Sequence, residues 1–215
     1  MRAIFTETEL YAEARRLALS LGFEVFVFAL AIPATNLQRP LFRLYGLPPV
    51  TAPSGLYESL RRATRGTLAG VNWSAPGVRE SCLWLTDLPG DMTHGWSQPT
   101  RSLGSELGMA SFARSHKLEA DEADRLELRM MLLSQALHAQ LMTVIIGRGD
   151  LFDPLNLEEL TVLQWAAQGK TSTDIAQLME LEERRVRYVT QIARTKMRAS
   201  TTIQAAVRAQ GYGLF

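Results

Sequence analysis

The stretch LNLEELTVLQWAAQGKTSTDIAQLMELEERRVRYVTQIARTK, residues 155–196, decides the fold of the C-terminal part of this chain. Its apolar spacing predicts three short helices. They cover residues 157–167, a segment that begins at Thr171 or Ser172, and residues 183–198. Two short helices with a tight connection, the second of them basic, are typical of a helix-turn-helix.

Positive charge is concentrated at the end of the chain. No Asp or Glu follows Glu183, although seven of the 23 Lys and Arg residues lie beyond it. A basic segment on an acidic body indicates a module that binds a polyanion. On charge alone, a solvated amphipathic helix remains the alternative. A fourth helix is predicted from Thr202, which completes an all-α four-helix domain over residues 155–215.

The third of these helices carries most of the side chains expected to contact DNA. Because Val186, Val189 and Ala193 mark its inner face, arginines are presented on the outer face, where they can reach guanine and phosphate. The alternative is a four-helix domain that binds protein instead. The predicted DNA-binding residues are Lys170, Thr171, Ser172, Arg184, Arg185, Arg187, Tyr188, Gln191, Arg194 and Lys196.

The part of the chain before this domain alternates helical and strand patterns. Thr6 and Glu9 form the capping box of a first helix. The run FEVFVFALAI, residues 23–32, predicts a buried strand, and residues 95–99 and 107–113 predict two more. The expected fold is an α+β domain, a small antiparallel sheet flanked by helices in an α-β-α sandwich.

A long helix is predicted over residues 119–146, followed by a linker at 147–154. The predicted domains are therefore 1–146 and 155–215. The stripe on this helix is expected to supply part of a two-fold interface, which makes a homodimer the expected assembly. Its apolar residues recur every three or four positions, at Leu126, Met130, Leu133, Leu137, Leu141 and Val144.

Composition indicates an ordinary soluble protein, with 47% hydrophobic and 21% charged residues. No apolar run approaches the roughly 18 residues of a membrane span, and no signal-peptide pattern opens the chain, so a cytoplasmic location is expected. Cys82 is the single cysteine, which excludes an internal disulfide. The three histidines lie at no metal-ligand spacing, and no catalytic motif is present. We therefore expect neither an enzyme nor a cofactor.

The C-terminal residues resemble the effector domain of LuxR-type regulators. The resemblance rests on residues 155–172, on the tetrapeptide DIAQ that begins at Asp174, and on Val186. The chain departs from the family pattern at three positions. Glu180 replaces a turn glycine, Arg185 a threonine and Val189 a histidine. The resemblance implies DNA binding, but these departures leave the base preference open.

The N-terminal residues resemble the autoinducer-binding domain of quorum-sensing receptors of the same family. The similar segments are LGFEVFVF at 21–28, WLTDLPGDMTHGW at 84–96 and LGMASFARS at 107–115. The resemblance implies a pocket for an acyl-homoserine lactone between sheet and helices. In that family a Trp and a Tyr donate to the two carbonyl groups of the ligand, and an Asp accepts from its amide. A phosphoacceptor receiver domain is excluded, because no pair of strand-ending Asp residues is found.

The ligand-binding residues carry over only in part. Trp73 and Ser111 fall on pocket positions, and Trp84 is a further candidate for the pocket wall. Ala52 and Leu56 stand where the resemblance places the Trp and the Tyr. Glu58 falls near the position of the Asp. Unpaired polar atoms of a buried ligand cost about 1–3 kcal/mol each. We therefore expect an orphan or modulatory receptor that does not respond to ordinary lactones.

Two alternatives remain open at this point. One is an antagonist that forms inactive mixed dimers with a related regulator. The other is a sensor of a different small molecule.

Overall fold

The computed structural model describes seven segments of the chain, and they form two compact units. The first unit ends at Val144, and the second runs from Ile145 to Phe215. The described segments are residues 6–32, 41–46, 56–63, 69–74, 92–101, 106–149 and 151–215.

The first unit is built on an antiparallel sheet. Its strands follow the order β2-β1-β5-β4-β3, and every neighbouring pair is antiparallel. The helices are α1 (Glu7–Ser20), α2 (Leu56–Ala63) and α3 (Ala120–Gly147), the last of which ends within the second unit. The strands are β1 (Val25–Ile32), β2 (Leu41–Gly46), β3 (Val71–Asn72), β4 (His94–Arg101) and β5 (Leu107–Arg114).

Helix α1 begins at the predicted capping box and packs on one face of the sheet. The side chain of Thr6 accepts from the backbone of Glu9, and the Glu9 carboxylate accepts from the backbone of Thr6. The hydroxyl of Tyr11 donates to the carbonyl of Phe26 over 2.6 Å, and the two rings stack. On the same face, His138 of α3 contacts Thr100 and Phe28.

The opposite face of the sheet is covered by α2 and by residues that follow β3. Leu60 of α2 packs against Ala29 and Met109, while Trp73 packs against Val27 and Met92. Strand β1 is buried along its whole length because both faces of the sheet are covered. The predicted α-β-α sandwich is therefore confirmed.

Helix α3 buries three of the six residues of the predicted apolar stripe. Met130, Leu137 and Leu141 are buried within the first unit, so these three residues of the stripe are not available for the predicted two-fold interface. The large apolar residues of α3 that are exposed are Leu128 and Leu132, at 59% and 58% exposure. By length and hydropathy alone α3 could cross a bilayer, which is weak evidence because core helices of soluble domains meet the same criterion.

The second unit consists of four helices in the described residues. Phe152, in the segment predicted as a linker, is buried in its core and stacks on Tyr212. A second cluster joins Val162, Ile175, Val186 and Val189. The helices are α4 (Leu157–Ala167), α5 (Ser172–Leu178), α6 (Glu183–Lys196) and α7 (Thr202–Gly211).

Candidate nucleic-acid interface

Helices α5 and α6 form a helix-turn-helix whose first helix has a well-defined start. Thr171 is the N-cap of α5, and its side chain accepts from the amide of Asp174. The Asp174 carboxylate accepts in return from the backbone of Thr171 over 2.9 Å, which lowers the pKa of Asp174. This capping box, together with the buried Ile175 and Ala176, fixes α5 on the domain core.

The turn between the two helices contains a strained residue. Glu180 has a φ of +53°, a left-handed conformation that costs a residue with a Cβ roughly 1 kcal/mol. This is the position at which the resemblance places a glycine. The amide of Leu181 donates to the carbonyl of Ala176 over 2.9 Å, which closes the turn and sets the direction of α6.

Helix α6 buries one face and exposes the opposite one. Val186, Val189 and Ala193 are buried, as the sequence predicted. The side chain of Arg194 is half-buried and donates to the carbonyl of Ser200. The exposed residues of α6 among those predicted to bind DNA are Arg184, Arg185, Arg187, Tyr188 and Gln191.

A polar cleft of about 400 Å³ lies along this exposed face. It combines two arginines with hydroxyl and amide groups, which are the donors that bind phosphate oxygens. Sequence reasoning named four of its residues and missed Thr190, Thr195 and Thr202. The signal for the first two was their spacing along α6, three and eight residues after Arg187. The cleft is lined by Ser172, Arg187, Thr190, Gln191, Arg194, Thr195, Ala199 and Thr202.

Two arginines of α6 are paired with glutamates. Arg185 Nε and Nη2 donate to the two carboxylate oxygens of Glu158, in α4, over 2.9 and 2.7 Å. These bonds lower the pKa of Glu158, so the carboxylate remains charged at neutral pH. Arg187 pairs with Glu183 within α6, over 2.5 Å. The exposed face of α6 is therefore less positive than its arginine content indicates.

Lys196 has a partner in the core of the domain. Its Nζ donates to both carboxylate oxygens of Glu159, over 2.8 and 2.9 Å. Glu159 is buried and also closes the capping box of α4 with Asn156. The ammonium of Lys196 therefore compensates a buried charge and joins the ends of α4 and α6. The remaining predicted residues, Lys170 and Thr171, are exposed beside the start of α5.

The described candidate ligand-binding residues lie in the first unit, and only Trp73 and Ser111 are buried on the same face of the sheet. Trp73 is 1% exposed, and its Nε1 has no hydrogen-bond partner among the described residues. Ser111 lies opposite Val27 in the sheet, and residues directly opposite share a face. The hydroxyl of Ser111 is 3.0 Å from that of Ser97, a buried neighbour that sequence reasoning missed.

The other two candidates are not part of this cluster. Glu58 lies in α2 with 56% of its side chain exposed, and its carboxylate is 3.3 Å from Arg61 Nε. An exposed carboxylate on a helix surface is not placed to accept from a buried amide. Trp84 lies outside the described residues.

The four-helix unit defines the class of this protein. A helix-turn-helix with a buried inner face and a basic, exposed second helix belongs to a DNA-binding protein that regulates transcription. Residues 153–209 match the family described as "Bacterial regulatory proteins, luxR family". The second unit is therefore a LuxR-type DNA-binding domain, and the chain is similar to LuxR-type transcriptional regulators, a family of DNA-binding proteins and not of enzymes.

Similar proteins support the same assignment over nearly the whole chain. The transcriptional repressor ThaA of Burkholderia thailandensis is 26% identical over 90% of this chain and 86% of its own. The transcriptional activator AnoR of Acinetobacter nosocomialis is 25% identical over 97% of this chain and 92% of its own. The structure of Escherichia coli SdiA shares the fold, with a TM-score of 0.70 at 21% identity, over 99% of this chain and 93% of SdiA.

Proposed function

We propose that this regulator binds a palindromic operator as a cytoplasmic homodimer and does not respond to ordinary acyl-homoserine lactones. The observation that carries the proposal is the position of Glu58. This residue is the candidate acceptor for the ligand amide, yet its exposed carboxylate is paired with Arg61 on the outside of α2. Ala52 and Leu56 supply no donor where the resemblance expects a Trp and a Tyr. A lactone bound in the pose that the resemblance implies would therefore have unpaired polar atoms.

Two measurements on the purified full chain test this proposal. The first selects random DNA duplexes over a range of salt concentrations, with no ligand added. Selection of a palindrome with a steep salt dependence supports a ligand-independent dimer. The second is equilibrium binding of acyl-homoserine lactones of several chain lengths. A low-micromolar or tighter dissociation constant for any of them contradicts the proposal.

An antagonist that forms mixed dimers is the second candidate. The ion pairs of Arg185 and Arg187 with glutamates favour it, because they reduce the positive charge available for phosphate contacts. Sequence-independent binding that disappears at moderate salt, together with tight association with a related regulator, would support this candidate over the first.

A sensor of another small molecule is the third candidate. Trp73 supports it, because a buried indole N–H without a partner among the described residues can donate to a carbonyl or hydroxyl oxygen. SdiA has been solved in complex with octanoyl-rac-glycerol, so monoacylglycerols are the first compounds to test. A thermal shift with such a compound that is absent in Trp73→Phe would support this candidate.

A further inference from the structure

The guanidinium of Arg185 is held along one edge by a neighbouring helix. Its Nε and Nη2 donate to the two oxygens of Glu158 over 2.9 and 2.7 Å. This is the parallel, two-bond geometry in which a carboxylate fixes both the position and the plane of an arginine. Glu158 itself lies in the first turn of α4, a helix anchored by its own capping box.

A second contact restricts the same group. The Cζ of Arg185 lies 5.7 Å from the centre of the Tyr188 ring, one turn further along α6. Half of the Arg185 side chain remains exposed, and Tyr188 is 56% exposed. Because a guanidinium carries five N–H groups in one plane, Nη1 and the second hydrogen of Nη2 point away from Glu158. Arg185 thus offers a fixed edge with two parallel donors that no described residue occupies.

Two parallel donors match the O6 and N7 acceptors of guanine in the major groove. Arg185 lies in the first turn of α6, the part of a recognition helix that contacts base edges. We propose that Glu158 and Tyr188 hold the Arg185 guanidinium, before DNA binds, in the orientation that contacts one guanine in each half-site. Since the side chain is fixed before DNA binds, less conformational entropy is lost on binding. The inference rests on the proposed function, because it requires DNA recognition by this surface.

Arg187 provides the contrast within the same helix. Its ion pair with Glu183 is formed one turn away in α6 itself, and 71% of the Arg187 side chain is exposed. Among the described residues, no hydrogen bond or ion pair joins Arg187 to another helix. Exposed pairs of this kind are weak and exchange readily with solvent. Glu183 is therefore a matched control for Glu158, since either Glu→Gln change removes one negative charge beside the start of α6.

The test compares four forms of the full chain by selection from random duplexes, followed by affinity measurements on single-base variants of the selected site. We expect Arg185→Ala to abolish the preference for one guanine per half-site, with roughly tenfold or more loss of discrimination at that base pair. Glu158→Gln is expected to reduce discrimination at the same base pair by roughly threefold to tenfold. Glu183→Gln is expected to change affinity for all sequences alike and leave that preference intact. Circular dichroism melting checks that each variant is folded.

The outcomes separate this inference from the proposed function. If the unaltered protein selects a palindrome but Glu158→Gln leaves the Arg185-dependent preference intact, the inference is wrong and DNA binding stands. The inference also fails if Glu158→Gln raises affinity for every sequence equally, because Glu158 would then only reduce positive charge. If the unaltered protein selects no sequence at all, both the proposed function and the inference are wrong.

Discussion

The imidazole Nδ1 of His138, in α3, lies 2.7 Å from the hydroxyl oxygen of Thr100, in β4. His138 is completely buried, and burial lowers its pKa to about 4. In the unfolded chain the same group titrates near its ordinary value of about 6.5. As the pH falls below this value, the unfolded state binds a proton that the folded state does not, so stability decreases.

We therefore expect the free energy of unfolding to fall by about 2 kcal/mol from about pH 7.5 to about pH 5, from this group alone. Urea denaturation followed by circular dichroism measures the change. His138→Gln, which cannot titrate in this range, serves as the control and is expected to show a much flatter profile. Equal slopes for both proteins would mean that His138 is not the responsible group.

The left-handed residue in the turn before α6 predicts a gain in stability on replacement. Glu180→Gly removes the steric cost of a Cβ at a φ of +53°, so we expect an increase of roughly 0.5–1 kcal/mol after allowance for the greater freedom of glycine in the unfolded chain. Arg198 has the same φ, but its guanidinium donates to the carbonyl of Gly149 over 3.2 Å. Arg198→Gly loses that bond and is expected to gain less. Thermal melting of the two variants compares them, and a larger gain for Arg198→Gly would contradict this account.

The two candidate lysines are expected to act in different ways. Lys196→Met leaves the buried carboxylate of Glu159 without its ammonium partner, so we expect a loss of about 2 kcal/mol in stability. Lys170→Met changes an exposed residue and is expected to alter stability by less than about 0.5 kcal/mol. Its effect should appear instead in the salt dependence of DNA affinity. We expect the slope of log affinity against log salt concentration to become shallower by about one, the value for one lost phosphate contact. Denaturation and DNA titration of both variants separate the two roles. A large loss of stability in Lys170→Met, or a change in Lys196→Met confined to the salt dependence, would contradict this assignment.

The exposed leucines of α3 predict where the proposed homodimer forms its interface. Leu128 and Leu132 lie one turn apart and are more than half exposed, and neighbouring exposed apolar side chains are typical of an interaction surface. We expect the double change of Leu128 and Leu132 to Glu to raise the dimer dissociation constant by at least about tenfold. Sedimentation equilibrium gives this constant. Leu157→Glu, at a residue 80% exposed in α4, is the control and should leave it unchanged. Equal weakening by the control would exclude a specific interface on α3.

The helices of the second unit were predictable because their signals are local. The Thr171 cap of α5, the apolar spacing of α4 and α6, and Gly169 after α4 all lie within a few residues of the boundaries they determine. Strand β1 was predictable for the same reason, as a continuous apolar run. Strand β2 was missed because its sequence LFRLYG lacks a clear alternation, and β3 has only two residues.

The partners of charged side chains were not predictable in the same way. Arg185 and Glu158 are 27 residues apart, and Lys196 and Glu159 are 37 residues apart. Only the packing of α6 against α4 brings these charges together. Sequence reasoning therefore identified the residues that face DNA by helical periodicity, but could not show which of them already hold an internal partner. Likewise, it could place Glu58 near a pocket position but could not show which side of α2 carries its carboxylate.

The burial of Phe152 limits where this chain can be joined to another in a chimaera. Phe152 stacks on Tyr212, and the amide of Asp153 donates to the carbonyl of Lys196 over 3.0 Å. The residues just before α4 therefore belong to the same cooperative folding unit as α6 and α7. A chimaera joined at residue 155 would remove part of the core of the DNA-binding domain. A joint that keeps this core intact has to lie before Ile146, because Ile146 also packs against the Phe152 cluster.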